Sequence, residues 1–402
     1  SALVVFFVGT TSPAGTIMAT SIWGGSASWT LTALPMFVWM GEILFRSRLS
    51  EEMFKGLAPW LNRLPGRLFH VNVIGCGIFA AACGSSAATM ATIGRISLPE
   101  LDKRGYEPSL SMGALTSAGT LGIMIPPSIT FIVYGVSAEV SIARLFAAGI
   151  LPGIVLMLLF MGYIAFWSML HKDKMPPPEP SIAFMEKLKL SRHLIPVCIL
   201  IALVIGSIYT GVATPTESAA IGVAGALLLS AISGTLTRAN FIESVRESVR
   251  TSCMIAFIIM GSMFLSSAVD FTGLPTTIAK FIDSYQLSAH GLLLALTILF
   301  GIMGCFLDGV SIVVLASSLL LPTVQAAGID LIWFGVYMVL MVEMSMVTPP
   351  VELNLFIMQM MSGRSLAFVS KAVFPFFLIM VAFVIVLVAV PGLATYLPSV
   401  LF

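Results

Sequence analysis

The composition of this 402-residue chain excludes a soluble globular protein. Hydrophobic residues make up 58% of the sequence and charged residues only 10%, whereas about a quarter of the residues in a soluble domain are charged. Mean hydropathy is +1.03, so the lipid bilayer is the solvent for most of the chain. A formal net charge of +1 does not favour a nucleic-acid partner. The sequence therefore predicts an all-α polytopic membrane protein.

Reactive side chains are too few and too scattered for an enzyme. The five cysteines lie in apolar segments without metal-ligand spacing, and the four histidines are far apart in the sequence. No Gly-Lys-Ser/Thr phosphate-binding loop occurs, so the chain does not hydrolyse nucleotide on its own. An intramembrane hydrolase needs a serine beside a basic side chain, or two acids, at one depth. The sequence predicts no enzymatic activity.

A duplication is visible in the prolines, four of which recur without a gap when the sequence is shifted by 223 positions. The pairs are Pro99 with Pro322, Pro126 with Pro349, Pro127 with Pro350, and Pro152 with Pro375. Chance predicts about 0.2 such matches over this stretch. The same register aligns Ser1–Thr10 with Ala224–Ser233, and we therefore expect a further span upstream of Ser1.

The distribution of basic residues indicates that the second copy is inverted. Five net crossings separate the equivalent loops at Lys103 and Gln325, and an odd number reverses the orientation. The stretch Arg46–Arg67 carries five arginines and lysines, whereas its counterpart Phe271–Ser288 carries only Lys280. Basic loops lie preferentially in the cytoplasm. The segments predicted there are 46–67, 101–108, the linker 171–192 and Arg238–Arg250.

Each copy predicts a re-entrant helical hairpin followed by a helix that a Pro-Pro pair interrupts. The first hairpin has arms at Phe69–Cys83 and Ala88–Leu101, with a tip of small polar residues between them. Arms of about 14 residues reach ~21 Å, which is too short to cross the membrane but long enough to reach its midplane. The second hairpin has its tip at Leu307–Gly309.

The repeats predict a division of the chain into five segments. These are 1–65, scaffold helices of the first repeat; 66–140, the first hairpin and broken helix; 141–287, scaffold helices with the cytoplasmic linker 171–192; 288–363, the second hairpin and broken helix; and 364–402, a C-terminal scaffold helix.

The interrupted helices are the predicted binding site. Unpaired backbone groups in hydrocarbon cost several kcal/mol each, so a broken helix persists where protein, water or an ion satisfies them. Half-helix C-termini offer carbonyl oxygens to a cation, and half-helix N-termini attract an anion. A lone Pro-Pro pair can also be a simple kink, but two pairs in register, each following a small-residue tip, favour a site.

Four runs of sequence carry a family resemblance. They are GSSAATMATIGRISLPELDKRGYEP, GTLGIMIPPSITFIVYGVS with LFAAGILPG following, TPTES, and FGVYMVLMVEMSMVTPPVELNLF. The chain resembles, over nearly its whole length, the large membrane subunit of tripartite ATP-independent periplasmic (TRAP) transporters. One departure is Glu352, where glycine usually follows Pro-Pro-Val in this family.

The resemblance implies an elevator-type, sodium-coupled importer in the bacterial inner (cytoplasmic) membrane. Its expected partners are a small integral-membrane (Q) subunit, a periplasmic substrate-binding protein and a small organic anion. The candidate Na⁺ ligands are Ser85, Gly119, Thr120, Gly122, Met124, Asp308, Thr348 and Pro349. The candidate substrate-binding residues are Ser86, Thr89, Pro127 and Asn354.

Several alternatives stay open on the sequence alone. Small hydroxyl residues at a tip also let backbones approach each other, and Asp308 is also a suitable N-cap for the arm that follows it. Glu343 is either a protonated buried acid or a charge that faces water. The rival functions are an ion or solute channel and a proton-coupled carrier that uses Glu343 or Asp308. Carboxylates, sialic-acid-like sugars and sulfonates all remain as solutes.

Overall fold

The computed structural model describes residues 14–177, 183–271, 289–349 and 352–402, which form 18 α-helices and no strand. The helices up to the linker are α1 Ala14–Ser26, α2 Ala33–Phe45, α3 Leu49–Leu61, α4 Leu68–Cys83, α5 Ser86–Lys103, α6 Pro108–Met124, α7 Ile129–Ser137, α8 Ile142–Leu170 and α9 Phe184–Ser191. Those that follow are α10 Ile195–Tyr209, α11 Pro215–Ile232, α12 Arg238–Phe271, α13 Ala289–Gly304, α14 Gly309–Ala326, α15 Leu331–Ser345, α16 Leu353–Ser362, α17 Leu366–Ala389 and α18 Gly392–Leu401. The predicted all-α membrane fold is confirmed.

Six helical stretches among the described residues are long and apolar enough to cross a bilayer. They are α8, α9 continuing into α10, α11, α12, α14 and α17. The pair α6 and α7 passes the same test as one span bent by 40° at the Pro126–Pro127 break. The interrupted span expected in the first repeat is therefore present.

The two hairpins turn at their predicted tips. Gly84 ends α4 with a φ of +65°, a conformation that favours glycine, and Ser85 is the N-cap of α5. In the second repeat, α13 ends at Gly304 and Asp308 is the N-cap of α14. Ser85 and Asp308 are 223 positions apart, so the two repeats place an oxygen-bearing cap at the same position.

The second arms are longer than the sequence predicted. The first repeat's second arm, predicted as Ala88–Leu101, extends two residues further at each end, and both Pro99 and Pro322 lie inside their helices, α5 and α14. Each helix runs 18 residues, or ~27 Å. A proline removes one helical hydrogen bond and bends the helix without ending it when the surrounding packing favours continuation.

Contacts between the two broken helices establish that the repeats are inverted. The Tyr134 hydroxyl, at the end of the first broken helix, donates to the Leu331 carbonyl at the start of the second over 2.7 Å. Midway along both, Thr120 Oγ1 lies 3.0 Å from Glu343 Oε1. Thr120 and Glu343 are themselves counterparts, 223 positions apart. A residue meets its own counterpart where the symmetry axis passes, so this pair marks the axis of the repeats.

Two of the segments predicted to be cytoplasmic, 46–67 and 171–192, contact each other. Arg67 Nη1 donates to the Pro176 carbonyl over 2.6 Å, and Trp60 Nε1 donates to Ser191 Oγ over 2.8 Å. The predicted linker 171–192 is thus more than a connector, since its helix α9 packs on the amphipathic helix α3. The amphipathic segment expected at 275–287 lies outside the described residues.

The C-terminal helix α17 packs tightly against the first broken helix. A Cβ atom built at Gly113 of α6 would lie 2.2 Å from the carbonyl oxygen of Ala372, so the two backbones touch only because residue 113 is glycine. This contact packs the helix predicted as a C-terminal scaffold directly against α6, the first half of the first broken helix. The five-segment division stays a prediction.

Candidate transport site

The first hairpin tip touches the first helix break backbone to backbone. A Cβ atom at Gly84 would lie 2.6 Å from the Pro127 carbonyl oxygen, and one at Gly122 would lie 2.7 Å from the Ser85 carbonyl oxygen. Larger residues at positions 84 and 122 would separate the tip from the break. The structure therefore brings Ser85, Gly122 and Pro127 together, as expected for one site.

The diproline leaves free carbonyl groups at the end of α6. The carbonyls of Gly122 and Ile123 would bond to the N–H groups of residues 126 and 127 in a continuous helix, but proline has no N–H. Ser128 Oγ donates to the Ile123 carbonyl over 2.5 Å and accepts from Phe131 N at 3.4 Å. Ser128 thus bridges the break and supplies the bond to the Ile123 carbonyl that residue 127 cannot donate.

Ser128 was missed by the sequence reasoning, although a signal was present. Serine after a diproline and before an apolar run is a helix N-cap pattern. Gly119, a predicted Na⁺ ligand, lies inside α6, where backbone carbonyls bond within the helix. It also packs closely against α5, since a Cβ there would lie 2.7 Å from the Met90 Cβ. Met124, at the end of α6, has its carbonyl against Gly149 of α8.

The two repeats meet through a hydrogen bond between two predicted substrate-binding residues. Asn354 Nδ2, on α16, donates to Ser86 Oγ, on α5, over 2.7 Å. Both residues are buried. Asn354 Oδ1 and Thr89 Oγ1 are buried without a hydrogen-bond partner, and Thr89 follows Ser86 by about one helical turn on the same face. Buried polar atoms are normally satisfied, so these oxygens are available to a bound solute or cation.

Thr120 and Glu343 form a second contact between the repeats. Thr120 Oγ1 lies 2.7 Å from the Ser117 carbonyl and 3.0 Å from Glu343 Oε1. A hydroxyl has one hydrogen and a carbonyl only accepts. An ionised Glu343 would therefore share that hydrogen with the Ser117 carbonyl, whereas a protonated Glu343 can donate its own proton, so that both contacts are full hydrogen bonds. Glu343 is fully buried, and its Oε2 has no partner. The sequence left two states open for Glu343, a protonated buried acid and a charge that faces water, and we interpret it as the protonated acid.

The second hairpin tip carries the predicted Asp308, which is exposed at the start of α14. Its Oδ2 accepts from Val310 N at 3.2 Å and from Ser311 N at 3.3 Å. The N-cap role that the sequence offered as an alternative is therefore present. A cap does not neutralise the carboxylate, which also lies within electrostatic reach of Glu352.

Thr348 and Pro349, the remaining predicted ligands of the second repeat, take no part in the Ser86–Asn354 hydrogen bond. Thr348 Oγ1 donates to the Met344 carbonyl of its own helix over 2.7 Å, and Pro349 is exposed. Pro350 lies outside the described residues. Glu352 is buried, with Oε1 unpartnered, two residues before Asn354. In the described part of the chain, no hydrogen bond joins Asp308, Thr348 or Pro349 to the first repeat.

The oxygen atoms at the site suit a hard cation better than a transition metal. No group of three or more His, Cys, Asp or Glu residues with metal-binding geometry occurs in the described ranges. Hydroxyl, amide and backbone carbonyl oxygens are the ligands of hard cations. Interrupted helices from two inverted repeats, joined at such a site, are typical of membrane transport proteins.

Comparison with known proteins identifies the family within this class. Residues 1–393 match the family model described as tripartite ATP-independent periplasmic transporter, DctM component. The chain belongs to this family, whose members are the large membrane components of TRAP transporters. The prediction from the sequence motifs is confirmed.

Individual relatives agree with the family assignment. The chain is 30% identical over 383 residues to a C4-dicarboxylate TRAP transporter large permease of Pseudomonas aeruginosa, which covers 95% of this chain and 89% of that protein. It is 28% identical over 400 residues to the sialic acid TRAP transporter large permease of Vibrio cholerae, covering 98% and 92%. An isethionate TRAP permease, DctMQ, of Oleidesulfovibrio alaskensis is 31% identical over 371 residues, covering 92% of this chain and 58% of that protein.

A solved structure supports the fold. The YdaH transporter of Alcanivorax borkumensis superimposes with a TM-score of 0.71 and 11% sequence identity, over 94% of this chain and 88% of that chain. At this identity, the likeness concerns the fold alone. The relatives are named as transporters and permeases, in agreement with the predicted absence of enzymatic activity.

Proposed function

We propose that the chain imports a small organic anion together with Na⁺ across the bacterial inner membrane. The observation that carries this proposal is the Ser86–Asn354 hydrogen bond, which joins the two repeats beside a helix break. Unpartnered oxygens of Asn354 and Thr89 surround it. One site is thus bounded by both repeats and offers the hydroxyl and amide groups that fix a polar solute.

The relatives support an acidic solute. Their names specify C4-dicarboxylates, sialic acid and isethionate, which share a carboxylate or sulfonate group. By the same family relation, the chain works with a small integral-membrane (Q) subunit and a periplasmic substrate-binding protein. The two hairpins and two broken helices move as one unit against the scaffold, in an elevator mechanism that carries the site across the bilayer.

Electrostatics favours more than one sodium ion for each anion. Moving a monovalent anion into a negative interior costs about 2.3 kcal/mol per 100 mV, so one Na⁺ only cancels the charge and a second exploits the voltage. The two pseudo-symmetric breaks provide two places for cations. A reversal potential that gives one Na⁺ per monoanion would contradict this stoichiometry.

Uptake by the reconstituted system tests the proposal. The membrane subunits in proteoliposomes, with the purified binding protein outside, would be offered succinate, N-acetylneuraminate and isethionate with and without a Na⁺ gradient. We expect uptake of one of these anions to require both Na⁺ and the binding protein. Rapid uptake that needs neither would identify a channel.

Proton coupling is the second candidate, because the geometry at Thr120 favours a protonated Glu343. The same vesicles separate the two mechanisms. Uptake that a pH gradient, acid outside, drives in Na⁺-free medium would support proton coupling. Uptake that follows only the Na⁺ gradient would support sodium.

Asp308 substitutions separate a helix cap from an ion ligand. Asparagine keeps an N-cap oxygen and removes the charge, whereas alanine removes both at a cost of about 1 kcal/mol in stability. If Asp308 helps to hold Na⁺, both Asp308→Asn and Asp308→Ala should raise the Na⁺ concentration for half-maximal uptake at least about tenfold. If the residue is only a cap, Asp308→Asn will have the sodium dependence of the wild type.

A further inference from the structure

A cavity of about 670 Å³ is lined by residues of α5 and α16 that follow Ser86 and Asn354 along these helices, and it extends to the segment 101–108 that is predicted to be cytoplasmic. The residues of α5 and α16 nearest the contact are Ala91, five positions after Ser86, and Ile357, three positions after Asn354. Asp102 at the other end of the lining precedes the basic pair Lys103–Arg104. We call this space the inner cavity. It lies along the path that a solute would take from the site to the cytoplasm.

Two arginines line the inner cavity. The Arg95 guanidinium lies 5.6 Å from the centre of the Phe45 ring, and the Arg364 guanidinium lies 5.6 Å from the centre of the Phe368 ring. Contact with an aromatic face orients a guanidinium without neutralising its charge. Within the described ranges, neither arginine has an ion-pair partner. With Asp102 as the acid of the lining, two positive charges and one negative charge leave a net charge of +1.

The second repeat builds a matching cavity of about 490 Å³ beside α14. Six of its lining residues, Val314, Ser317, Ser318, Leu321, Pro322 and Gln325, are the counterparts, 223 positions on, of Ala91, Gly94, Arg95, Leu98, Pro99 and Asp102. The inverted repeat places this outer cavity towards the opposite side of the membrane. Both cavities therefore follow from the architecture.

The charges differ between the two cavities, although the architecture is shared. Ser318 stands where the inner cavity has Arg95, and Ser318 Oγ lies 2.7 Å from Ser262 Oγ of α12. The counterpart of Arg364 is Ser141. The outer cavity contains Glu139 and no arginine or lysine among its lining residues. Because the fold builds this cavity without cations in one repeat, packing does not explain the two arginines of the other.

We propose that the inner cavity is an oxyanion-binding site, in which Arg95 and Arg364 receive the acidic group of the transported solute after it leaves the Ser86–Asn354 level. The guanidinium groups match carboxylate, sulfonate and phosphate oxygens, which they bind through paired, charge-assisted hydrogen bonds. The inference rests on the proposed import function, because it assigns a role to the cytoplasmic end of the path that the imported anion would follow. Binding at this site requires the two positive charges but no sodium.

Equilibrium binding in Na⁺-free medium tests the site. The purified membrane complex in neutral phosphatidylcholine nanodiscs, with potassium as the cation, would be titrated with succinate, isethionate and inorganic phosphate. We expect at least one of these anions to bind, and the Arg95→Gln/Arg364→Gln double variant to bind it at least about tenfold more weakly. Asp102→Asn should bind it more tightly, because an opposing charge is removed.

Matched variants control for folding and for general surface charge. Arg63→Gln removes an exposed arginine of the same predicted side that does not line the cavity, and should bind as the wild type. The Arg95→Lys/Arg364→Lys double variant keeps the charges and loses the paired hydrogen bonds. Its affinity for the anion should lie between those of the wild type and the glutamine variant. Three results would contradict the proposed site. They are wild-type affinity in the glutamine variant, an equal loss of affinity in Arg63→Gln, and the absence of any anion binding.

Anionic lipid supplies the same chemistry and forms a second arm of the test. In nanodiscs that contain phosphatidylglycerol, a solute site keeps its affinity for the small anion. If the lipid displaces that anion and the glutamine variant retains less lipid, the occupant is a lipid phosphate and the release role is wrong. The assay uses neither sodium nor binding protein. If anion binding does not depend on the two arginines, the inner-cavity site is wrong, but sodium-coupled import is unaffected. If uptake does not depend on sodium while the anion still binds, only the proposed function is refuted.

Discussion

Replacing Asn354 with alanine should reduce solute uptake at least about 100-fold while the protein still folds. The substitution removes the amide that donates to Ser86 Oγ across the repeats over 2.7 Å, and also the unpartnered Oδ1. A solute that these groups position would lose its hydrogen bonds and its alignment, and loss of positioning alone costs about two orders of magnitude. Initial rates of anion uptake into proteoliposomes measure the effect.

Asn240 provides a matched control for this prediction. Asn240 Nδ2 donates to the Thr235 carbonyl over 2.8 Å at the start of α12, away from both hairpins. Asn240→Ala should therefore lose some stability and keep uptake within about twofold. Equal uptake by Asn354→Ala and the wild type would remove the Ser86–Asn354 contact from the transport site.

Glu343 should tolerate glutamine and should not tolerate alanine. If the residue is a neutral acid, as its contact with Thr120 indicates, Glu343→Gln conserves shape and charge and should change stability by less than about 1 kcal/mol. Glu343→Ala leaves a cavity and removes one of the two hydrogen-bond partners of the Thr120 hydroxyl, and should lower stability by about 2–4 kcal/mol. Thermal unfolding of the purified protein, with and without Na⁺, measures both.

The exposed acid Glu51 controls for removal of a carboxyl group. Glu51→Gln and Glu51→Ala should each be close to the wild type, because exposed acids at a helix start contribute less than about 1 kcal/mol. If Glu343→Gln is as unstable as Glu343→Ala, and Na⁺ stabilises only the wild type, the carboxyl group is ionised and holds a cation.

The architecture could be predicted from the sequence because prolines, glycines and basic residues act locally. The diproline at Pro126 and Pro127 cannot continue a helix hydrogen-bond pattern in any packing environment. Small polar tips and basic loops likewise specify turns and sidedness within a few residues. The repeat register at 223 positions then required both halves to share one plan, and the contacts of α6 with α15 agree with it.

The contacts across the site could not be predicted in the same way, because they depend on how the two halves pack. The register pairs Thr120 with Glu343, but only the packed structure shows that the symmetry axis passes between them. The pairing of Ser86 with Asn354 joins different elements of the two repeats and has no local signal. The length of α5 was also underestimated by two residues at each end, because helix ends depend on packing and caps that the sequence pattern specifies only approximately.

The central claim is that the interrupted helices of the two repeats form one site for cations and solute. Equilibrium binding of radioactive Na⁺ to the purified membrane complex tests it most directly. We expect saturable Na⁺ binding that the transported anion strengthens, and that the Asp308→Asn and Asn354→Ala substitutions together weaken at least about tenfold. An absence of saturable Na⁺ binding, or binding of wild-type affinity in that double variant, would contradict the claim.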